Sequence, residues 1–317
     1  MTISDHLQEL YGLPAFDFPG AESKTELPPA ASVAWRISVD SYDSEEEWED
    51  AFARFTDVVD TTEVRALIAG SWSDAFDSAP EGVVSALLGA KDRLPRLRAL
   101  FLGDITYEQC EISWINQGSV GPLLDRFPEL EVFGVRGGEG LEFPALKHER
   151  LRDLRVEAGG LSAEVVRGIA ASELPALEHL DVWLGTSWYG GTADVSDVEP
   201  ILSGTRLPRL RYLALRNSEI QDQIAAAVAS APVVAGLETL DLSMGTLGDD
   251  GAEALLTGQP LTHLKKLDVH HHFLSEAMMK RLSDALEPAG VEVDHSEEQA
   301  ARNATRARED RYTAVAE

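Results

Sequence analysis

A single cysteine, Cys110, in 317 residues rules out any disulfide within the chain. Long apolar runs are missing too. The longest mostly apolar stretch, 225–237, is 13 residues and contains Pro232, far short of the roughly 20 residues that cross a bilayer. Met1 to Leu13 lack the basic and apolar regions of a secretory signal, and together these gaps point to the cytoplasm. Basic residues are scarce: 27 against 55 acids leave a net charge of −28, which repels nucleic-acid backbones and anionic lipid and favours encounter with basic proteins. Neither nucleic acid nor membrane is therefore expected as a partner. The sequence has no phosphate-binding G-x-x-x-x-G-K-[ST], no G-x-S-x-G, no H-E-x-x-H and no C-x-x-C, so no cofactor is expected. Arg136-Gly137-Gly138-Glu139-Gly140 has no phosphate-binding helix behind it and reads as a turn, and Cys110 lacks a local base and reads as an inert thiol.

What the chain does have is repetition. L-x-x-L-x-L patterns stand at Leu97/Leu100/Leu102, Leu130/Phe133/Val135, Leu151/Leu154/Val156, Leu177/Leu180/Val182, Leu210/Leu213/Leu215, Leu237/Leu240/Leu242 and Leu264/Leu267/Val269, with a weaker copy at Val64/Leu67/Ala69. Their starts are 33, 33, 21, 26, 33, 27 and 27 residues apart, which predicts a repeat array rather than one closed core. Four copies follow a Leu-Pro or Phe-Pro pair (Leu94-Pro95, Phe127-Pro128, Leu174-Pro175, Leu207-Pro208), where proline ends a helix and sends the chain extended.

These residues resemble the leucine-rich-repeat family over roughly 60–295. Asp250 to Leu256 looks like the convex helix of its ribonuclease-inhibitor-like subclass, and the runs His6–Leu13 and Trp35–Asp40 are similar to an actinobacterial leucine-rich-repeat family. The resemblance implies an α/β solenoid, a horseshoe with a concave parallel sheet and convex helices, that binds rather than catalyses. One departure is visible. The family's turn asparagine or cysteine is replaced by Ile105, Gly138, Gly159, Gly185, Ser218, Gly245 and His272, so the turns need other partners for their buried backbone groups.

Residues 1–60 read as an N-terminal segment with a strand at Val33–Val39, which should open the sheet, and a cap helix. That helix begins at a Ser44/Glu47 capping box and carries the stripe Trp48, Phe52, Phe55, Val59. Residues 61–295 form about eight repeats, with helices expected at 83–90, 120–126, 163–171, 198–202, 221–229, 250–256 and 275–286, the last with Met278, Leu282 and Ala285 inward, then a strand at 291–293. Residues 296–317, with few large apolar groups and a Glu298/Arg302 pair, read as a solvated helix or disordered tail.

Strand alternation places Ala99/Phe101/Gly103, Val132/Gly134/Arg136, Asp153/Arg155/Glu157, His179/Asp181/Trp183, Tyr212/Ala214/Arg216, Thr239/Asp241/Ser243 and Lys266/Asp268/His270 on the outward concave face of an eight-strand sheet. This face is mixed in charge, with five acids and four bases. Trp183, Tyr212 and Arg216, flanked by Asp181 and Arg155, have the aromatic and arginine character of protein-interface anchors. The long intervals add loops bearing Trp72, Trp114 with Tyr107, and Trp188-Tyr189. The expectation is a non-enzymatic scaffold that recognises a protein through Trp183, Tyr212, Arg216, Trp188, Tyr189, Asp181 and Arg155. The alternatives are a metal- or acid/base-dependent enzyme using His270 with Asp268 and Asp241, and a structural subunit of a complex. No metal site is expected, because His270, His271 and His272 alternate faces and His272 falls at a turn position.

Overall fold

The leucine pattern sets the strands. In the computed structural model, which describes residues 2–42, 44, 46–299 and 310–317, every L-x-x-L-x-L copy enters a strand, and its leucine-type residues are buried between that strand and the helices. The strands are β1 (Glu9–Leu10), β2 (Leu13–Asp17), β3 (Ala34–Ile37), β4 (Ala66–Ala69), β5 (Ala99–Leu102) and β6 (Val132–Arg136), followed by β7 (Asp153–Glu157), β8 (His179–Gly185), β9 (Tyr212–Ser218), β10 (Thr239–Asp241), β11 (Lys266–Asp268) and β12 (Glu292–Asp294). They form one 12-stranded sheet in sequence order, in which β1 and β2 are antiparallel and every later neighbour pair is parallel. At about 4.8 Å per strand the sheet is roughly 50 Å long. Register follows the repeats: Leu180, Leu213, Leu240 and Leu267 sit side by side.

From β3 onward helices return the chain to the next strand, except between β6 and β7, which a loop joins: α1 (Trp48–Val58), α2 (Glu81–Gly89), α3 (Gly121–Arg126), α4 (Ala163–Ala171), α5 (Val195–Leu202), α6 (Gln221–Val228), α7 (Asp249–Thr257) and α8 (Glu276–Leu286). Local capping fixes several starts. Ser162 accepts from Val165 N at 3.4 Å, Asp194 and Asp197 form a capping box, and Ser275 accepts from Met278 N at 3.2 Å. Leu286, not Ala285, joins Met278 and Leu282 on the buried side of α8. The main core runs unbroken between helices and sheet from Phe18 to Val291.

Three expectations are corrected at the ends. The sheet opens with the β1–β2 hairpin and not at Val33: β2 contains Pro14 and pairs with β3, and Phe16 and Phe18 lie edge-on to Trp35 at 5.4 and 6.3 Å. The Ser44/Glu47 capping box does not form, because α1 starts at Trp48 with Glu47 as N-cap and no side-chain cap bond. Trp48, Phe52, Phe55 and Val59 nevertheless bury as one stripe. The C-terminal segment is the third. Residues 300–309, including Arg302, lie outside the described residues, but Asp310 to Glu317 lie against the concave face with Ala314 and Val315 buried.

The missing turn asparagines are replaced in two ways. Where glycine stands, neighbouring turns approach closely: Gly185 has φ +70° and any Cβ there would lie 2.1 Å from the Gly159 carbonyl oxygen. Elsewhere polar side chains bond the turns. Gln117 donates to Arg136 O at 2.7 Å, Gln221 to Leu215 O at 2.8 Å, and His272 accepts from Leu274 N at 3.1 Å while its Nε2 reaches His295 O at 2.8 Å.

Candidate functional site: the concave face and the aromatic edge

The concave face is largely covered by the chain itself. Over β3 to β6, Leu7, Leu10 and Tyr11 of the N-terminal segment pack on Ala34, Ala66, Ile68, Ala99 and Phe101, so Phe101 is buried rather than outward in solvent. Beside them runs a buried ion ladder. Arg36 Nε is 2.7 Å from Asp104 Oδ2, and Arg136 reaches Asp104 Oδ1 at 3.2 Å and Glu157 Oε2 at 2.7 Å. Burial alone would push the Asp104 carboxyl up, but His6, the two guanidiniums and the Leu7 N–H outweigh it and hold it below the usual carboxylate range.

Along the strand exits, the C-terminal segment packs on Trp183 and meets Tyr189, two of the residues expected to form an open recognition patch. Trp183 and Arg216 are register partners on β8 and β9, with the guanidinium 5.1 Å from the Trp183 ring centroid. Yet Trp183 is only 7% exposed, because Ile112, Met244, Ala314 and Val315 pack around it. Asp181 is buried and receives Arg216 twice, at 2.9 and 2.6 Å. Burial pulls the Arg216 guanidinium down, but Asp181 and Asp241 outweigh it and hold it charged. Tyr212 stacks on His179 with centroids 3.9 Å apart and donates to Asp241 Oδ2 at 2.8 Å, and Arg155 forks onto Asp153 at 3.0 and 2.7 Å. Arg216 therefore holds Asp181 and lies over Trp183, and Trp183 packs on the chain's own tail instead of presenting a free surface.

The loops that leave the strands divide. Trp72 folds back and donates to Ser78 O at 2.9 Å, buried as an edge cover. Trp188 is 86% exposed and Trp114 56%, and with Phe76 (44%) and Tyr189 they line a cleft of about 540 Å³ whose polar wall is Asp77, Ser113, Asn116 and Glu139. Tyr42 extends the aromatic edge by stacking on Phe76 at 5.9 Å. The C-terminal segment ends beside this cleft: Tyr189 OH donates to Glu317, and Ser113 donates to Ala316 O.

The histidine run separates, but not by strict alternation: the left-handed backbone at His271 turns its ring to the Tyr312 carbonyl of the tail, His272 bonds turn backbone, and only His270 joins a carboxylate cluster. Asp268, His270 and Asp294 offer ligand atoms within 4.8 Å of one another, so Asp294, not Asp241, completes the cluster, while Asp241 is engaged by Tyr212, Ser243 and Arg216. The cluster is already compensated: Lys266 Nζ lies 3.0 Å from Asp268 Oδ2 and 3.4 Å from Asp294 Oδ2, and His270 Nδ1 is 2.7 Å from Asp268 Oδ1. A divalent ion there would have to displace an ammonium group. Burial pushes the Cys110 thiol up to about 11, which leaves it protonated at neutral pH.

Sequence reasoning missed Asp104, Asn217 and the C-terminal segment. Asp104, Asn217, Met244 and His271 all stand two residues past the last leucine-type position of their repeats, where alternation alone points into the core and left-handed backbone, at Gly103 before Asp104 and at the other three residues themselves, turns the chain to the concave side. That offset was the available signal.

The architecture is that of an α/β leucine-rich-repeat solenoid with both chain ends on its concave face, and among the described residues no helix is long and apolar enough to cross a membrane. Neither a family model nor a curated protein sequence matches the chain. Among solved structures it is similar to a Bacteroides fragilis protein determined by a structural genomics consortium, at 29% identity and TM-score 0.74 over 80% of this chain and 71% of that one. An internalin from Listeria monocytogenes aligns over 76% of this chain and 68% of its own length at 13% identity and TM-score 0.38.

Proposed function

We propose that the protein is a non-enzymatic, cytoplasmic protein-binding scaffold of the ribonuclease-inhibitor-like subclass, and that its exposed anchors lie on the aromatic edge. The observation that carries this reading is the cleft in which Trp188 and Trp114 stand in solvent beside Phe76, Asp77 and Glu139. Isolated surface rings need no explanation, but several large rings around one concavity are what interface hot spots are made of. The acidic wall and the net charge of −28 favour a basic partner side chain, with cation–π contact available from the indoles. Convex helices between most successive strands support the subclass.

The test is capture by the tagged full-length chain, mass-spectrometric identification of what binds, and calorimetry on the purified pair. Trp188→Ala and Trp114→Ala should each weaken binding by about tenfold or more, equivalent to about 1.4 kcal/mol, with unchanged melting. Retention of full affinity by both variants removes the aromatic edge as the site.

A further inference from the structure

Three successive repeats carry a residue in the left-handed backbone region at the same offset after the strand: Asn217 (φ 53°), Met244 (φ 65°) and His271 (φ 53°), 27 residues apart. Non-glycine side chains seldom adopt this conformation, and such residues cluster at ligand clamps. Here each of the three holds the C-terminal segment. The Asn217 amide clamps one residue from both sides, donating to Val315 O at 2.6 Å and accepting from Val315 N at 3.0 Å. Met244 O accepts from Ala314 N at 2.7 Å, and His271 Nε2 lies 3.1 Å from Tyr312 O. The three contacts form a ladder that grips the backbone of an extended chain.

Side-chain seats accompany the ladder. Ala314 and Val315 rest among Ile112, Trp183 and Met244, and the Arg311 guanidinium reaches Asp222 Oδ2 at 3.0 Å and Thr246 O at 3.1 Å. Two bare glycines make room. A Cβ on Gly248 would lie 2.1 Å from the Arg311 guanidinium, and one on Gly159 would lie 2.4 Å from Ala316 O. The seat is nonetheless incomplete: Trp183 Nε1, on a side chain more than nine-tenths buried, has no hydrogen-bond partner among the described residues. An occupant that supplied an oxygen there would relieve a buried unpaired donor that the tail leaves unsatisfied.

We propose that this half of the concave face is a peptide-binding groove, and that Arg311 to Glu317 is its displaceable internal ligand. The partner it takes is an extended segment with a basic residue, then small and β-branched apolar residues, then an acid, together with a hydrogen-bond acceptor for Trp183. This extends the protein-binding reading to a second surface and supplies the chemistry of the segment recognised.

The experiment uses the full-length chain carrying Val315→Asp, which expels the tail by placing a carboxylate in an apolar seat, and a fluorescein-labelled peptide of residues 311–317 followed by anisotropy. The Val315→Asp chain is expected to bind the peptide saturably, the unsubstituted chain at least tenfold more weakly, and the Asn217→Ala/Val315→Asp chain at least tenfold more weakly than Val315→Asp alone. A folded Val315→Asp chain that ignores the peptide overturns the proposal, as does equal binding by substituted and unsubstituted chains. Loss of cooperative melting in Val315→Asp overturns it as well, since the tail would then be part of the core. An unsubstituted chain that is dimeric in solution and becomes monomeric with Val315→Asp would assign the groove to a second copy's tail, against an internal ligand. Because no cellular partner enters this assay, its failure leaves the aromatic-edge reading intact, and failure of partner capture leaves this one intact.

Discussion

At the scale of single residues, the repeat leucines and the concave ion pairs contribute to stability in different ways. Leu213 and Leu240 are fully buried register partners on β9 and β10. Leu→Ala at either should cost about 2–5 kcal/mol in denaturant unfolding, and the double variant should depart from additivity because the two side chains share neighbours. A midpoint unmoved by both substitutions would remove them from the core. Asp153 behaves otherwise. Burial pushes its carboxyl up, yet neighbouring His179 and Arg155 outweigh this and hold it at about 2. A carboxyl whose folded value is depressed stabilises the fold above its unfolded value near ~4, and that contribution, on the order of 2 kcal/mol, is lost as pH falls from about 4 through about 2. Asp153→Asn should therefore destabilise the protein at pH 6, and the difference should shrink below about pH 4 and close only once the pH is below about 2. A difference that stays constant across this window would show that ionisation of Asp153 is not what matters.

At the scale of elements, α1 closes the helix layer with Trp48, Phe52 and Phe55 in a stack against Phe18 and Trp35. Phe55→Ala should cost about 3–5 kcal/mol, whereas Ser44→Ala should stay within about 0.5 kcal/mol because no side-chain cap exists to lose. Thermal melts of the two variants decide it. The cap helix and β4 to β11 were legible because apolar spacing is itself the cause of their burial. The β1–β2 hairpin was not, since Leu13–Asp17 is short and contains Pro14, and its pairing depends on the edge that β3 presents. The tail failed for a related reason: Thr313 to Ala316 has little apolar mass, and its burial is decided by the groove that receives it. Alternation identified Trp183 and Arg216 as concave neighbours, but alternation carries no information about what lies on top of a face. For the His270 cluster, Lys266 already balances Asp268 and Asp294, so elemental analysis after chelator-free purification should find well under one equivalent of zinc; a full equivalent lost on His270→Ala would promote the metal reading.

At the scale of the whole molecule, the charge of −28 does not sit on the concave face, where arginines and acids neutralise one another in buried pairs. A repeat array normally gains stability from nearest-neighbour interfaces alone, which lets distant repeats unfold separately. Here the tail joins Gly159, Asn217, Met244 and His271, four contact points spread over more than 100 residues, so they should exchange amide hydrogens as one unit. Hydrogen exchange resolved by repeat would read this directly. Replacing Val315 with Asp should let the last repeats open at lower free energy than the middle ones, and unchanged exchange there would mean the tail couples nothing.

The same segment has a mechanical meaning. A horseshoe pulled at its two tips behaves as a curved spring, and its softest motion is opening of the arc. A strip of backbone fastened to successive strand exits along the inner radius is a tie across that arc and resists opening far more than compression. Stretched in an optical trap, the molecule should be stiff until the Asn217 clamp yields and compliant thereafter, so that tension on the scaffold would itself uncover the inner face.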